Sequence, residues 1–399
     1  VTDSASIWLQ DGANVVDITP VVSRFVYKSS LIKGYVQWRM KFRVFNWDFW
    51  KNFMIGNSLR FAVKIRDEWN GRSRETNWLP LVVDLSGSDL QSTRIDANVT
   101  GGGTELLMMN EEKRRSFPRM TASQVIQRVA TDYVLKPNIR ASTATKTWYQ
   151  SNQTDWDLLQ EVLTDYVAFD GRGDSFLNIE GTNLIVQAIN YAAPVKRFYD
   201  LTAPNRHKRV PKVSVRYYGG QVARKGGLIV EARGFDRSTG LPVTFTANPI
   251  VDNVAALKEK LPKKITAAKR VVITGRSDLR FVRARALREQ AKYSIRYYGV
   301  AIKVLGELQI KLRDMISISV KDSDGKGSPN EGKYGVFEYT IDYALGRTQT
   351  TVVGYRREAS VGPATSVGTP AMQPVGTDTD LSSGTPQRVT VKTSVPLGS

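Results

Sequence analysis

Hydrophobic and polar residues alternate with period two in three stretches of the first hundred residues. Val36, Trp38, Met40, Phe42 and Val44 are separated by Gln37, Arg39, Lys41 and Arg43. Leu59, Phe61, Val63 and Ile65 are separated by Arg60, Ala62, Lys64 and Arg66, and Leu79, Leu81, Val83 and Leu85 repeat the spacing. Successive side chains of a strand point to opposite faces, so the pattern predicts β-structure with one face on a core and the other on water or a partner. The outward face then carries Arg39, Lys41, Arg43, Arg60, Lys64 and Arg66. Trp8, Trp38, Trp47, Trp50, Trp69 and Trp78 give the same region a large apolar payload. An antiparallel sandwich or small barrel fits.

After Gly101-Gly102-Gly103 and the charged stretch Glu111 to Arg115 the period changes. Thr121-Ala122-Ser123-Gln124 has the form of a capping box, with Val125, Ile126, Val129, Ala130 and Tyr133 on one helical face behind it and Pro137 as the stop. A second helix is predicted from Thr154-Asp155-Trp156-Asp157, where early carboxylates suit the positive helix end, with Leu158, Leu159, Val162, Leu163 and Tyr166 as its stripe. Phe176 to Ile179 and Leu184 to Val186 flank Glu180-Gly181-Thr182-Asn183 as a hairpin. Residues from about 115 to 190 therefore form an α+β unit.

Strands return at Lys212–Tyr218, Gly227–Arg233 and Leu241–Thr246, and again at Val300–Leu305, Met315–Val320, Tyr334–Tyr343 and Thr348–Tyr355. Between the two groups Asp278 to Tyr293 reads as a helix, its apolar Leu279, Val282, Ala286, Leu287 and Ala291 interleaved with Arg280, Arg283, Arg285 and Arg288. Ser214-Val215-Arg216-Tyr217-Tyr218-Gly219 recurs as Ser294-Ile295-Arg296-Tyr297-Tyr298-Gly299, a single echo that two similar strand edges also explain. The 39 residues from Val361 to Ser399 include 22 Gly, Pro, Ser or Thr, too little apolar surface to offset ordering, so they read as a tail or linker. Alternation at Val389, Val391 and Thr393 lets the end of that tail add a strand to a partner sheet.

Composition narrows the chemistry. The chain has 399 residues, 41% of them hydrophobic, enough for two or three packed domains. No run of 18 apolar residues occurs, and Val1 to Gln10 lacks the basic start and apolar stretch of a signal peptide, which reads as synthesis in the cytoplasm. Cysteine is absent, which removes disulfides, thiolate metal sites and cysteine nucleophiles. His207 is the sole histidine, set in Arg206-His207-Lys208-Arg209, and neither an ordinary zinc site nor a Ser-His-Asp triad is supported around it. The net charge is +19, and Arg206 to Arg296 holds 22 Lys/Arg against 6 Asp/Glu. Such a field attracts phosphate backbones or acidic protein surfaces.

Motifs with chemistry do not survive inspection. Asp322-Ser323-Asp324-Gly325 starts like a calcium loop, but Lys326 takes the next ligand position, and a hairpin turn explains it. Arg172-Gly173-Asp174 reads as a turn, and Asp155 and Asp157 do not face one another on a helix. Neither nucleotide-binding glycine motif is present. No catalytic, cofactor or metal residue is assigned, and the chain is not expected to be an enzyme.

The order of elements resembles a known family. Met120-Thr121-Ala122-Ser123-Gln124-Val125-Ile126-Gln127-Arg128-Val129-Ala130, then Gln153-Thr154-Asp155-Trp156-Asp157-Leu158-Leu159-Gln160-Glu161-Val162-Leu163, is similar to the middle of phage late-control-D and baseplate hub proteins of contractile tails. Asp17-Ile18-Thr19-Pro20 resembles the family's opening, and Gly332-Lys333-Tyr334-Gly335-Val336 with the strand Thr348 to Arg356 its close, so the likeness spans roughly residues 14 to 357. The resemblance implies two β-barrel domains per chain and a homotrimer whose six barrels continue a sixfold tail tube while a threefold face holds the spike. Its implied partners are the tail tube or tube-initiator protein, the spike and baseplate wedge proteins, with transient contact with DNA in the channel. A channel that passes DNA should not grip phosphate, so the cationic surface is expected to face an acidic neighbour or lie outside the lumen. No cell-wall-cleaving domain, such as many relatives carry or bind, is visible.

The reading is thus an α+β, mainly β chain. Residues 1–100 form a first barrel, 101–200 an α+β middle domain, 201–357 a second barrel with a helical insertion at about 253–293, and 358–399 a flexible tail, with interleaving of segments allowed. The expected function is that of a virion structural protein, made in the host cytoplasm, that docks tube and spike through Arg39, Lys41, Arg43, Arg60, Lys64 and Arg66 and through Arg280, Arg283, Arg285 and Arg288. The alternative is a basic nucleic-acid-binding protein whose Tyr217-Tyr218 and Tyr297-Tyr298 pairs stack on bases. A secretion-system spike protein comes third, since it calls for a needle of short β-repeats.

Overall fold

The computed structural model describes residues 4–43, 60–69, 72–89, 98–169, 175–200, 212–214, 228–235, 240–247, 268–273, 299–319 and 331–355, together with 279, 282, 283, 285 and 286 of one helix. The Arg172–Asp174 tripeptide, His207, both Tyr-Tyr pairs, Arg280, Arg288, the Asp322–Gly325 stretch and the 358–399 tail lie outside them.

The alternating N-terminal sequence forms strands β1 (Ser4–Asp11), β2 (Asn14–Asp17), β3 (Val22–Ser30), β4 (Val36–Phe42), β5 (Arg60–Trp69), β6 (Arg72–Glu75), β7 (Leu79–Asp89) and β8 (Asn98–Gly102). Period two decides the faces: Trp38, Met40 and Phe42 of β4 and Phe61, Val63 and Ile65 of β5 are buried. The Trp38 ring meets Phe61 edge-on at 5.5 Å, and its Nε1 donates to the carbonyls of Val82 (3.1 Å) and Gly102 (3.0 Å). Glycine is required at 101 because a Cβ there would overlap the Trp38 indole and the Val82 carbonyl.

The middle of the chain forms α1 (Glu105–Met109), β9 (Glu112–Thr121), α2 (Ala122–Asp132), β10 (Lys136–Ile139), β11 (Thr145–Thr154), α3 (Asp155–Phe169), β12 (Ser175–Glu180) and β13 (Asn183–Ala188). The capping box is present: the Gln124 amide N–H donates to Thr121 Oγ1, and Gln124 Oε1 accepts from the Thr121 N–H. Val125, Ile126, Val129 and Ala130 of α2 pack with Leu158, Leu159, Val162, Leu163 and Tyr166 of α3 in one core. The helix stops at Asp132, before Pro137, because Val134 takes a left-handed backbone (φ 58°) that ends the helical turn. Pro137 instead sits in the edge strand β10, where a missing N–H is tolerated. The β12–β13 hairpin closes through Gly181 at φ 60°.

The remaining strands are β14 (Arg197–Asp200), β15 (Lys212–Ser214), β16 (Leu228–Phe235), β17 (Pro242–Ala247), β18 (Ala268–Ile273), β19 (Gly299–Leu305), β20 (Met315–Ser319), β21 (Gly332–Ala344) and β22 (Arg347–Tyr355). Within the stretch expected as a helical insertion, β18 is a strand parallel to β16, as the β-branched run Val271-Val272-Ile273 favours. The helical residues begin later, and Val282 and Ala286 pack on Val230 and Ala232 of β16.

The two ends of the chain share one sheet, in the order β15-β19-β22-β21-β3-β4-β8-β7-β5-β1-β2, with β6, β14 and β20 branching from it. The join is β3 against β21, antiparallel over Arg24↔Ala344 to Ser30↔Glu338. One continuous core runs from Ala5 to Tyr355 behind it. The Ala5 N–H donates to the Gly346 carbonyl (2.8 Å), which brings the start of β1 to the β21–β22 turn. Closure of this path into barrels is not seen among the described residues. The mainly-β, α+β class is. No helix among the described residues is long and apolar enough to cross a membrane.

Candidate docking surface

The pleat puts the β4 and β5 cations on the outer face of the sheet, as the alternation requires, but it does not gather them into one patch. Arg39 and Arg43 are exposed and Lys41 is half-buried. In the strand order β4 and β5 are separated by β8 and β7, three ladder spacings or about 14 Å. Next to β4, the β3 cations pair across the join: Arg24 with Asp342 (2.6 Å) and Lys28 with Glu338 (2.8 Å).

On β5 the cations are engaged locally. Lys64 Nζ lies 3.2 Å from Glu75 and 5.0 Å from the centre of the Trp78 ring. Arg66 Nε donates to Ser73 Oγ (2.9 Å), and its guanidinium reaches Glu68 (3.1 Å). Arg60 stands in β5 opposite Val82, with its side chain outside the described residues. Trp8, Val15, Lys64, Arg66, Glu75 and Trp78 line a shallow open groove beside β2.

The arginine helix points partly inward. The Arg283 guanidinium lies 5.6 Å from the Phe245 ring centre, and Arg285 Nη1 donates to Thr164 Oγ1 of α3 (3.4 Å). The interleaving of arginines that suggested an outer docking face therefore also serves contacts within the chain.

Sequence reasoning missed the buried charges that fix the scaffold. Asp155, read as a helix-start residue, is fully buried and accepts from Lys113 Nζ (2.8 Å), Tyr133 Oη (2.7 Å), Gln150 Nε2 (2.9 Å) and the Arg115 guanidinium. Burial alone would raise its pKa, but hydrogen bonds from Lys113, Tyr133 and Gln150 and the charge of Arg115 outweigh it and hold the carboxyl below its ordinary value. The only sequence signal was the pair Lys113 and Arg115 on alternate positions of β9. Glu307, also buried, bridges Arg74 of β6 (3.5 Å) and Arg197 of β14 (3.3 Å), segments more than a hundred residues apart.

Buried charges also tie the middle unit to the sheet. Arg313 donates to the Phe176 carbonyl (2.8 Å) and to Asn178 Oδ1 of β12; burial lowers its pKa to about 10, with Glu180 opposing. Glu105, at the start of α1, accepts from the Val36 N–H of β4, and its Oε2 is buried without a hydrogen-bond partner. Burial raises its pKa to about 7 against the backbone N–H donors that favour the anion. Among the described residues no group of three His, Cys, Asp or Glu side chains is placed to hold a metal. What the arrangement does is hold strands from distant parts of the chain in register and present a charged outer face.

No family model and no curated protein matches the sequence. Solved structures do match, along nearly the whole chain. The tail protein of Neisseria meningitidis MC58 is similar with a TM-score of 0.57 at 10% identity, over 88% of this chain and 97% of that one. The 43 kDa tail protein of prophage MuSo2 from Shewanella oneidensis gives 0.54 at 10% identity, over 90% and 100%. A Francisella PdpA–VgrG complex gives 0.51 at 6% identity, over 89% of this chain and 58% of that one. The chain therefore shares its fold with these two tail proteins and with a chain of the PdpA–VgrG complex, in keeping with the tail-hub-like fold that its sequence resembles.

Proposed function

We propose that the chain is a structural subunit of a phage-type contractile tail, a baseplate hub that forms a homotrimer and adapts the sixfold tail tube to the threefold spike. One observation carries the reading: the likeness to two tail proteins runs almost end to end in both directions, so it concerns the whole architecture and not a shared module. In this reading the sheet closes into two barrels, residues 1–100 and 201–357 with the β3–β21 join between them, and 101–200 stands as the middle domain. Six barrels from three chains then form the ring. The partners are the tube or tube-initiator protein, the spike and the wedge proteins, and the finished chain resides in the virion.

The exposed Arg39 and Arg43, with the outward charges of β3, are the surface assigned to an acidic neighbour. Light scattering of the purified chain at low and high salt, with and without DNA, tests the reading. A salt-resistant trimer indifferent to DNA is expected. A monomer that binds DNA with steep salt dependence overturns it in favour of a nucleic-acid-binding protein. Arg39→Glu with Arg43→Glu is expected to weaken capture of spike or tube protein without changing the trimer mass.

A further inference from the structure

β2 is an end strand of the large sheet, pairs only with β1 among the described residues, and exposes all four of its residues. Its apolar pair is unusually open for a sheet margin, with Val15 49% and Val16 36% accessible. An edge of this kind, apolar and without a second strand among the described residues, is a template for another strand. Register fixes what each residue borders. Val16 stands opposite Leu9, which is fully buried, so the inner face next to Val16 is the open rim of the core. Val15 and Asp17 stand opposite Gln10 and Trp8 and so share the outer face, where Val15 helps line the tryptophan groove.

The chain carries a segment that fits this edge. After Tyr355 the sequence is rich in Gly, Pro, Ser and Thr, except between Pro386 and Pro396. There Val389, Val391, Thr393 and Val395 alternate with Arg388, Thr390, Lys392 and Ser394. Such alternation is the pattern of an edge-pairing strand with one apolar and one cationic face, bounded in sequence by residues that stop strands. The 33 residues from Tyr355 to Arg388 span at most about 110 Å extended and about 30 Å as a flexible coil. A compact chain of this length has a radius of gyration of only about 21 Å. Every edge of the same molecule is within reach.

We infer that Arg388–Val395 adds to the outer edge of β2 of its own chain. Its apolar face continues the core rim beyond Val16, and Arg388 and Lys392 lie on the outer face, which carries Asp17. The added strand would pair the open backbone groups of β2 and remove an exposed apolar edge from a protein that has to assemble in a defined way.

The chain has no cysteine, so introduced pairs report without background. Val16→Cys is combined in turn with Val389→Cys, Thr390→Cys, Val391→Cys, Lys392→Cys and Thr393→Cys in the full chain and oxidised. At least tenfold more intrachain disulfide is expected at 389, 391 and 393 than at 390 and 392, because only one parity shares a face with Val16. Equal yields at both parities, disulfides only between chains, or equal yields with Phe198→Cys on the edge strand β14 would overturn the assignment. Independently, truncation after Pro386 is expected to speed hydrogen exchange of the β2 amides at least tenfold. Unchanged exchange there overturns it as well.

Discussion

Asp155 and Glu105 are equally buried, 0% and 2% accessible, yet their carboxyls move in opposite directions. Asp155 sits inside the middle unit, where β9, α2 and β11 deliver Lys113, Arg115, Tyr133 and Gln150 to it, and it stays ionised to unusually low pH. Glu105 sits where the middle unit meets the sheet; the donors that favour its anion are backbone N–H groups, and burial raises it to about 7. The difference teaches what each place does. Inside a unit with its own core, side chains from several elements can converge on one charge, whereas at this point of the seam Glu105 meets only backbone donors.

The largest effect is expected from breaking the Asp155 network. Asp155→Ala leaves Lys113 and Arg115 without their buried partner and should cost about 3–5 kcal/mol, read by denaturant unfolding. Because the folded carboxyl is depressed, its contribution is complete above the unfolded value near pH 4 and is lost as pH falls through the lower folded value. Wild type and variant should therefore converge in strong acid. Parallel pH curves would mean that the network is not what holds this carboxyl.

Glu105→Gln should act with the opposite sign. Between pH 4.5 and about 7 the folded chain holds a proton that the unfolded chain has released, so the buried carboxyl lowers stability as pH rises through that window. Glutamine keeps an acceptor for the Val36 N–H and carries no charge. A gain of up to about 3 kcal/mol at pH 8 is expected, shrinking toward nothing below pH 4.5. A loss at pH 8 would show that the anion is paired at the seam after all, and the contrast with Asp155 would disappear.

The same contrast explains what the sequence made legible. Helix α2 with its Thr121–Gln124 box, the stripe of α3, the β12–β13 hairpin and the alternating strands β4, β5 and β7 were all readable, because cap, period and turn chemistry act within a few residues. The β3–β21 join was not, because it pairs positions more than three hundred residues apart and any strand of matching alternation fits the pattern. The β18 strand fell inside the stretch expected as a helical insertion, because Val271-Val272-Ile273 is too short a run to set a period of its own. Cations were visible as an outward face on β4 and β5, but periodicity carries no information about the acids that meet them. Glu75 engages Lys64 through the β5–β6 pairing, whereas Glu68 meets Arg66 two residues along the same strand.

Gly34 sharpens the seam from a second side. It has φ +77°, and a Cβ there would lie 3.2 Å from the Trp156 ring and 3.3 Å from the Leu177 carbonyl of the middle unit. Gly34→Ala therefore combines left-handed strain with a tight contact, and a loss of about 1–2 kcal/mol is expected in thermal or denaturant unfolding. No loss would place the middle unit farther from the β3–β4 turn than these distances imply.

The smallest effect belongs to the outer face, and its size is informative because it is small. Arg24 and Asp342 pair across the β3–β21 join, where their side chains are 57% and 29% accessible, so solvent screens an attraction that at the Asp155 site is shielded from water. A double-mutant cycle with Arg24→Ala and Asp342→Ala on the isolated chain is expected to give a coupling below about 1 kcal/mol that fades in high salt. The same cycle on the assembled particle need not agree. If a neighbour covers this face, as a hub surface that docks an acidic partner would require, the pair loses its solvent and the coupling should grow and resist salt. Equal, salt-sensitive couplings in both states would mean that the outer face of the join stays open in the assembly, and the docking surface would have to be sought elsewhere on the chain.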